Sequence, residues 1–133
     1  MINQNSKFLV EISPAELIDK ICILEIKIEK ITDPEKNRNV KHELKVLMDV
    51  FNALVFPSRE LNQLINRLRA ASKRGWEIED IKRECEREKD FGDKFIEAAR
   101  GAFKNNDERA MIWKEINMLL KSNIVQEKSY EKY

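Results

Sequence analysis

The chain has 133 residues, 42% of them hydrophobic and 37% charged, with only three Gly and three Pro. That is enough for one domain spanning 1–133 with a core that needs no disulfide staples, and it argues against a turn-rich β fold. Twenty-five basic against twenty-four acidic side chains leave a formal net charge of +1, which excludes a global field drawing the chain to nucleic acid or to an anionic membrane.

In chain order, Lys7 to Ile12 (KFLVEI) alternates weakly and is rich in β formers, which predicts a short strand or extended arm. Ser13, Pro14 and Glu16 then form a capping-box start for the first helix. In that helix Leu17, Ile21, Leu24, Ile28 and Ile31 recur at helical spacing, and Ile18, Ile23 and Ile26 spread the apolar surface over several sides. A helix of this kind belongs at the centre of a bundle. Asp33-Pro34 repeats the cap signal, and Val40, Leu44, Leu47, Phe51 and Leu54 carry a second helix to about Val55, folding back on the first. Pro57 ends it and Ser58 caps a long third helix running towards Asp90.

The seam of the third helix is Leu61, Leu64, Leu68, Ala71, Gly75, Ile78 and Cys85, with Lys82 in one slot. Gly75 on that seam costs about 1 kcal/mol of helix propensity against alanine, and it points to close backbone packing or, second, to a kink. DFGD at Asp90 to Asp93 reads as a stop and restart, with Gly92 in a left-handed turn and Asp93 as the new N-cap. Phe95, Ile96, Ala99 and Phe103 give a short fourth helix. Asn105, with Glu108 three residues on, caps a fifth whose Ile112, Ile116 and Leu119 face inward beside Trp113 and Leu120. The tail from Ser122 reads as extended.

The sum is an all-α bundle of about five helices with an antiparallel helix pair, one long helix, and short extended N- and C-terminal segments that can pair, since a lone strand leaves its backbone groups unsatisfied. No apolar run is long enough to span a bilayer, and MINQNSKFLVEIS lacks the basic start and apolar core of a secretory signal, so a cytoplasmic location is expected. The greasy first helix predicts either full burial by the later helices or a homodimer built on the helix one and helix three seams.

Chemistry is sparse. Cys22 and Cys85 show neither CxxC nor Cys/His spacing, so buried reduced thiols are expected rather than a disulfide or a zinc site. His42, the single histidine, lies in a polar stretch and reads as a surface residue. Glu77-x-x-Asp80 matches half of the magnesium-holding pattern of helical nucleotide pyrophosphohydrolases, but Glu16-x-x-Asp19 matches too, as expected by chance in a chain with 24 acidic residues. No metal and no cofactor is therefore expected. The sharper feature is a stripe. At about 100° per residue, Arg69, Trp76, Asp80 and Arg83 fall on one side of the third helix, with Ile65 and Ser72 alongside. Trp76 should then sit at the boundary of core and solvent. The arginines could serve a carboxylate or phosphate, Trp76 a ring, and Asp80 a hydroxyl.

Across ELIDKICILEIKIEKI (Glu16 to Ile31), WEIED (Trp76 to Asp80), DFGDKFIEAAR (Asp90 to Arg100), NDERA (Asn106 to Ala110), KEINMLL (Lys114 to Leu120) and VQEKSY (Val125 to Tyr130), the chain resembles a small bacterial and phage-associated family known only as a domain of unknown function. The resemblance implies a helical single-domain protein whose members sometimes occur near glycosyltransferase and tetratricopeptide-type proteins. It implies no catalytic residue. The expectation is a non-enzymatic binding or assembly module, a homodimer with a protein partner or a small anionic ligand. The alternative is a small enzyme or accessory factor acting on an anionic metabolite, with a pyrophosphohydrolase-like metal site or a mutase-like bundle, in a context of glycosyl transfer.

Overall fold

The structure, a computed structural model, describes residues 6–133; residues 1–5, which open the stretch read for a secretory signal, lie outside it. Four helices follow in order: α1 (Pro14–Lys30), α2 (Pro34–Leu54), α3 (Arg59–Glu88) and α4 (Asp93–Leu119). None of them is long and apolar enough to cross a membrane.

The first three start where the caps place them. The Ser13 hydroxyl accepts from the Glu16 amide, the Asp33 carboxylate from the Glu35 and Lys36 amides, and the Ser58 hydroxyl from the Leu61 amide, each satisfying donors a helix start leaves free. Further along, the DFGD turn differs in detail. Lys89, not Gly92, takes the left-handed conformation at the end of α3, and Gly92 rather than Asp93 occupies the N-cap of α4.

α1, α3 and α4 share one core, in which Ile18, Leu61, Leu68, Ile112 and Ile116 are fully buried. Each such side chain is worth about 1.5–3 kcal/mol over its exposed state. Ion pairs show the register: Arg67 with Glu115, Arg74 with Glu108 and Lys94 with Glu84 run α3 and α4 antiparallel along their whole length. Glu25 with Arg69 and Glu29 with Lys73 set α1 parallel to α3. α2 packs on α1 alone among the helices, and Asn37 Nδ2 donates to the Ile28 and Ile31 carbonyls that α1 leaves free at its end. Burial of α1 is thus shared by α2, α3 and α4 within the chain.

The expected fourth and fifth helices are one. Asn105 does not cap a helix. It sits buried in the middle of α4, where its Nδ2 donates 2.8 Å to the Ala71 carbonyl of α3. The inward face of α4 runs Ala98, Ala102, Asn105, Arg109, Ile112 and Ile116, an unbroken 4-3-4-3-4 seam that passes through the supposed cap. Leu119, expected inward, is 40% exposed, and Ile96 and Phe103 are 49% and 43% exposed, the latter two on the side of α4 away from that seam. The approach of α3 to α4 is set by glycine: a Cβ on Gly75 would meet Asn105 Oδ1 at 2.6 Å, and one on Gly101 would meet Ile78 Cδ1 at 3.3 Å. α3 continues as one helix through Gly75, and the close packing read from the seam is the contact with Asn105.

The terminal segments form no strand among the described residues. They meet instead through side chains. Asn117 Oδ1 accepts from the Ala15 amide, its Nδ2 donates to Gln126 Oε1, and Gln126 Nε2 donates to the Ser13 hydroxyl; Asn123 Nδ2 donates to Glu11. The tail is also held to α4 by Lys128 on Asp107 and by Tyr133 edge-on to Phe103.

Gly75→Ala tests the approach by a change of sign. Alanine should gain about 1 kcal/mol of helix propensity but lose about 1–3 kcal/mol to overpacking, since Asn105 cannot yield without giving up its bond to Ala71. Denaturant midpoints should therefore fall for Gly75→Ala in the natural chain and rise for the same change in an Asn105→Ala background. A stabilising Gly75→Ala in the natural chain would disprove the contact.

Candidate functional site

Beside the Gly75 crossing the three core helices part and leave a cleft of about 390 Å³. Ile23 and Ile26 of α1 give it an apolar wall; α3 contributes Ser72, Gly75, Trp76, Glu79, Asp80 and Arg83, and α4 contributes Ala102, Asn105, Asn106 and Arg109. The cleft exists because the small residues that bring α3 and α4 together leave no large side chain to fill the angle between them and α1.

Of the four residues on the stripe read from the sequence, Trp76, Asp80 and Arg83 line this cleft and Arg69 does not. Arg69 instead donates from Nε and Nη2 to the Glu25 carboxylate of α1 and from Nη1 to Asn66. Two turns from Trp76, α1 is close enough to capture the guanidinium. Trp76 is half-buried, at the boundary between core and solvent.

Arg109 takes the place expected for Arg69. Its Nη2 donates to both oxygens of Asp19 at 2.8 and 2.7 Å, and the Asp19 side chain is only 7% exposed. Its Nε is buried without an acceptor. A second unpaired group is the Ser72 hydroxyl, in a residue 6% exposed that lines the cleft. Trp113 Nε1, outside the cleft, is a third such group; buried polar groups are nearly always paired, and an unpaired one costs about 1–3 kcal/mol. Asn105 lines the cleft with its amide already committed to Ala71, and Asn106 stands exposed at the rim.

The cationic side chains at the cleft are paired within the protein. Arg83 Nη1 donates 2.7 Å to Glu79 and Lys82 donates 3.0 Å to the same carboxylate; these two bonds hold the Glu79 carboxyl below the usual glutamate range. Arg109 is neutralised by Asp19, and Asp80 adds a carboxylate at the exposed rim. Beneath the cleft the Cys22 thiol is pushed up to about 12, first by burial and then by the Glu25 carboxylate nearby, so it is neither a nucleophile nor a ligand at neutral pH. Cys85 is fully buried, and His42 is exposed on α2, which lines no part of the cleft. Among the described residues no three His, Cys, Asp or Glu side chains gather as a metal site would need.

Sequence reasoning placed Ser72 beside the stripe but missed Asn105, Asn106 and Arg109. The signal was present in the seam of α4, where a polar residue and an arginine hold positions that should be apolar. The partner of Arg109 could not be found that way, because Asp19 lies 90 residues away.

A family model described as "Family of unknown function (DUF6165)" matches residues 8–133, and the chain belongs to that family. No curated protein and no solved structure matches it.

The Asp19–Arg109 pair should behave as a buried pair. Asp19→Ala strands a guanidinium and is expected to cost about 3–5 kcal/mol by chemical denaturation, whereas the double change Asp19→Leu with Arg109→Met should cost less than Asp19→Ala alone. Equal and small losses for every variant would show the pair to be solvated. Iodoacetamide at mildly alkaline pH should leave both cysteines unmodified in the folded chain and alkylate both in denaturant; modification of the folded chain would contradict their burial.

Proposed function

We propose that the chain is a non-catalytic binding module whose cleft holds a small, uncharged ring compound carrying several hydroxyl groups. The observation that carries this reading is the presence of a half-buried indole and the buried, unpartnered Ser72 hydroxyl in one cleft whose arginines are already paired. An indole offers a flat apolar face, so one side of the ligand is a ring. The polar groups around it mix acceptors, as on Asp80, with donors, as on the Asn106 amide. A hydroxyl both donates and accepts, so it suits such a rim.

The anionic ligand expected from the sequence fits less well. A phosphate or carboxylate only accepts, and here it would meet the Asp80 and Glu79 carboxylates while competing with Glu79 for Arg83. Nor does the cleft supply what a hydrolase or mutase needs, since its two arginines are spent on internal pairs and no nucleophile with a neighbouring base lines it.

The test is saturation-transfer NMR on myo-inositol, glucose, N-acetylglucosamine and adenosine beside phosphate esters of the same compounds. Neutral members should bind, and Trp76→Ala should abolish that binding at a cost below the roughly 3–5 kcal/mol of a fully buried tryptophan. Tighter binding of the esters, or a signal that survives Trp76→Ala, would defeat the proposal.

A further inference from the structure

Residues 6–12 leave the bundle as an arm outside any helix, on which three apolar side chains stand uncovered by the described residues: Phe8 is 90% exposed, Leu9 94% and Val10 77%. Among the described residues no backbone hydrogen bond joins this arm to another segment. An apolar extended segment with free amides and carbonyls is a template for strand pairing. Beside it runs an apolar groove of about 480 Å³, bordered by Val10 and Ile12 of the arm and walled by Val50, Leu54, Phe56 and Leu120. Val50, Leu54 and Phe56 are themselves 41%, 72% and 82% exposed.

The occupant is written in the charges of the arm. In KFLVE, Lys7 and Glu11 flank Leu9 symmetrically. An antiparallel pair of such arms, with its dyad at Leu9, sets each Lys7 opposite the other copy's Glu11, Phe8 opposite Val10, and Leu9 opposite Leu9. A slip by one residue along either strand faces each charge with an apolar side chain or leaves it unpaired, so the charges select this register. Side chains opposite one another share a face, so Phe8 of one protomer lies next to Val10 of its partner. Val10 borders the groove. The exposed Phe8 of each copy is thereby brought to the Leu54 and Phe56 wall of the other, and the same contact is made twice about the two-fold axis, as an isologous dimer requires.

We propose that the chain forms a symmetric homodimer through antiparallel pairing of residues 7–11, with Phe8 of each protomer seated in the apolar groove of its partner. This interface does not involve the cleft, with which the groove shares no lining residue.

Sedimentation velocity across micromolar concentrations tests it with charge swaps on an exposed arm, where circular dichroism should show the fold unchanged. The natural chain should dimerise reversibly. Lys7→Glu and Glu11→Lys each set like charges opposite one another twice and should weaken the dimer roughly tenfold or more. The double variant Lys7→Glu with Glu11→Lys should dimerise again, and an equimolar mixture of the two single variants should form a heterodimer. A natural chain that stays monomeric throughout would overturn the proposal, as would a dimer that none of the swaps disturbs or a double variant that fails to recover.

Discussion

The whole arrangement depends on how closely α3 can approach α4. At Gly75 the absence of a side chain lets Asn105 lie against the α3 backbone, and Asn105 uses that proximity to donate to the Ala71 carbonyl, an acceptor already engaged in the helix but still holding a lone pair. A buried asparagine in an apolar seam is costly unless it is bonded. Here the bond and the glycine need one another. Together they fix the register of two helices of 30 and 27 residues, and the exposed ion pairs along the same interface, each worth at most about 1 kcal/mol, follow that register.

Below the crossing the interface is apolar, through Leu68, Ala71, Ile112 and Ile116; beside it the interface is polar, through Ser72, Asn105 and Arg109. The polar part faces α1. Asp19 of α1 meets it by reaching Arg109, which costs desolvation that only good geometry offsets. The two short bonds from Nη2 supply that geometry and leave Nε unused. The cleft is therefore walled by three helices, with polar groups from α3 and α4 facing an apolar wall from α1.

Much of this was legible in the sequence, and the failures have physical causes. The starts of α1, α2 and α3 were readable because Ser13, Asp33 and Ser58 cap through local bonds that local sequence encodes. The break drawn at Asn105 was wrong because an asparagine followed by Glu108 imitates a capping box. Only the continuity of the Ala98 to Ile116 seam distinguishes the imitation, and that seam is concealed by its small residues. Leu119 and Leu120 were both placed at the core; Leu119 is 40% exposed while Leu120 packs against it, since the helix ends there. Trp76, Asp80 and Arg83 could be grouped from helical geometry alone. Arg69 shares their angle and still points elsewhere, because a side chain's direction is decided by its nearest opposite charge, here Glu25 of another helix. Long-range partners of this kind leave no local trace.

The central claim is that α4 passes unbroken beneath Gly75 with Asn105 locked against α3. The most direct measurement is the Asn105 side-chain amide in a proton–nitrogen NMR spectrum of the folded chain. The account expects slow exchange with solvent, nuclear Overhauser contacts from Asn105 to the Gly75 α protons, and continuous helical contacts through residues 102–109. A rapidly exchanging Asn105 amide, with the helical contacts interrupted there, would mean two helices and no crossing, and the cleft would go with it.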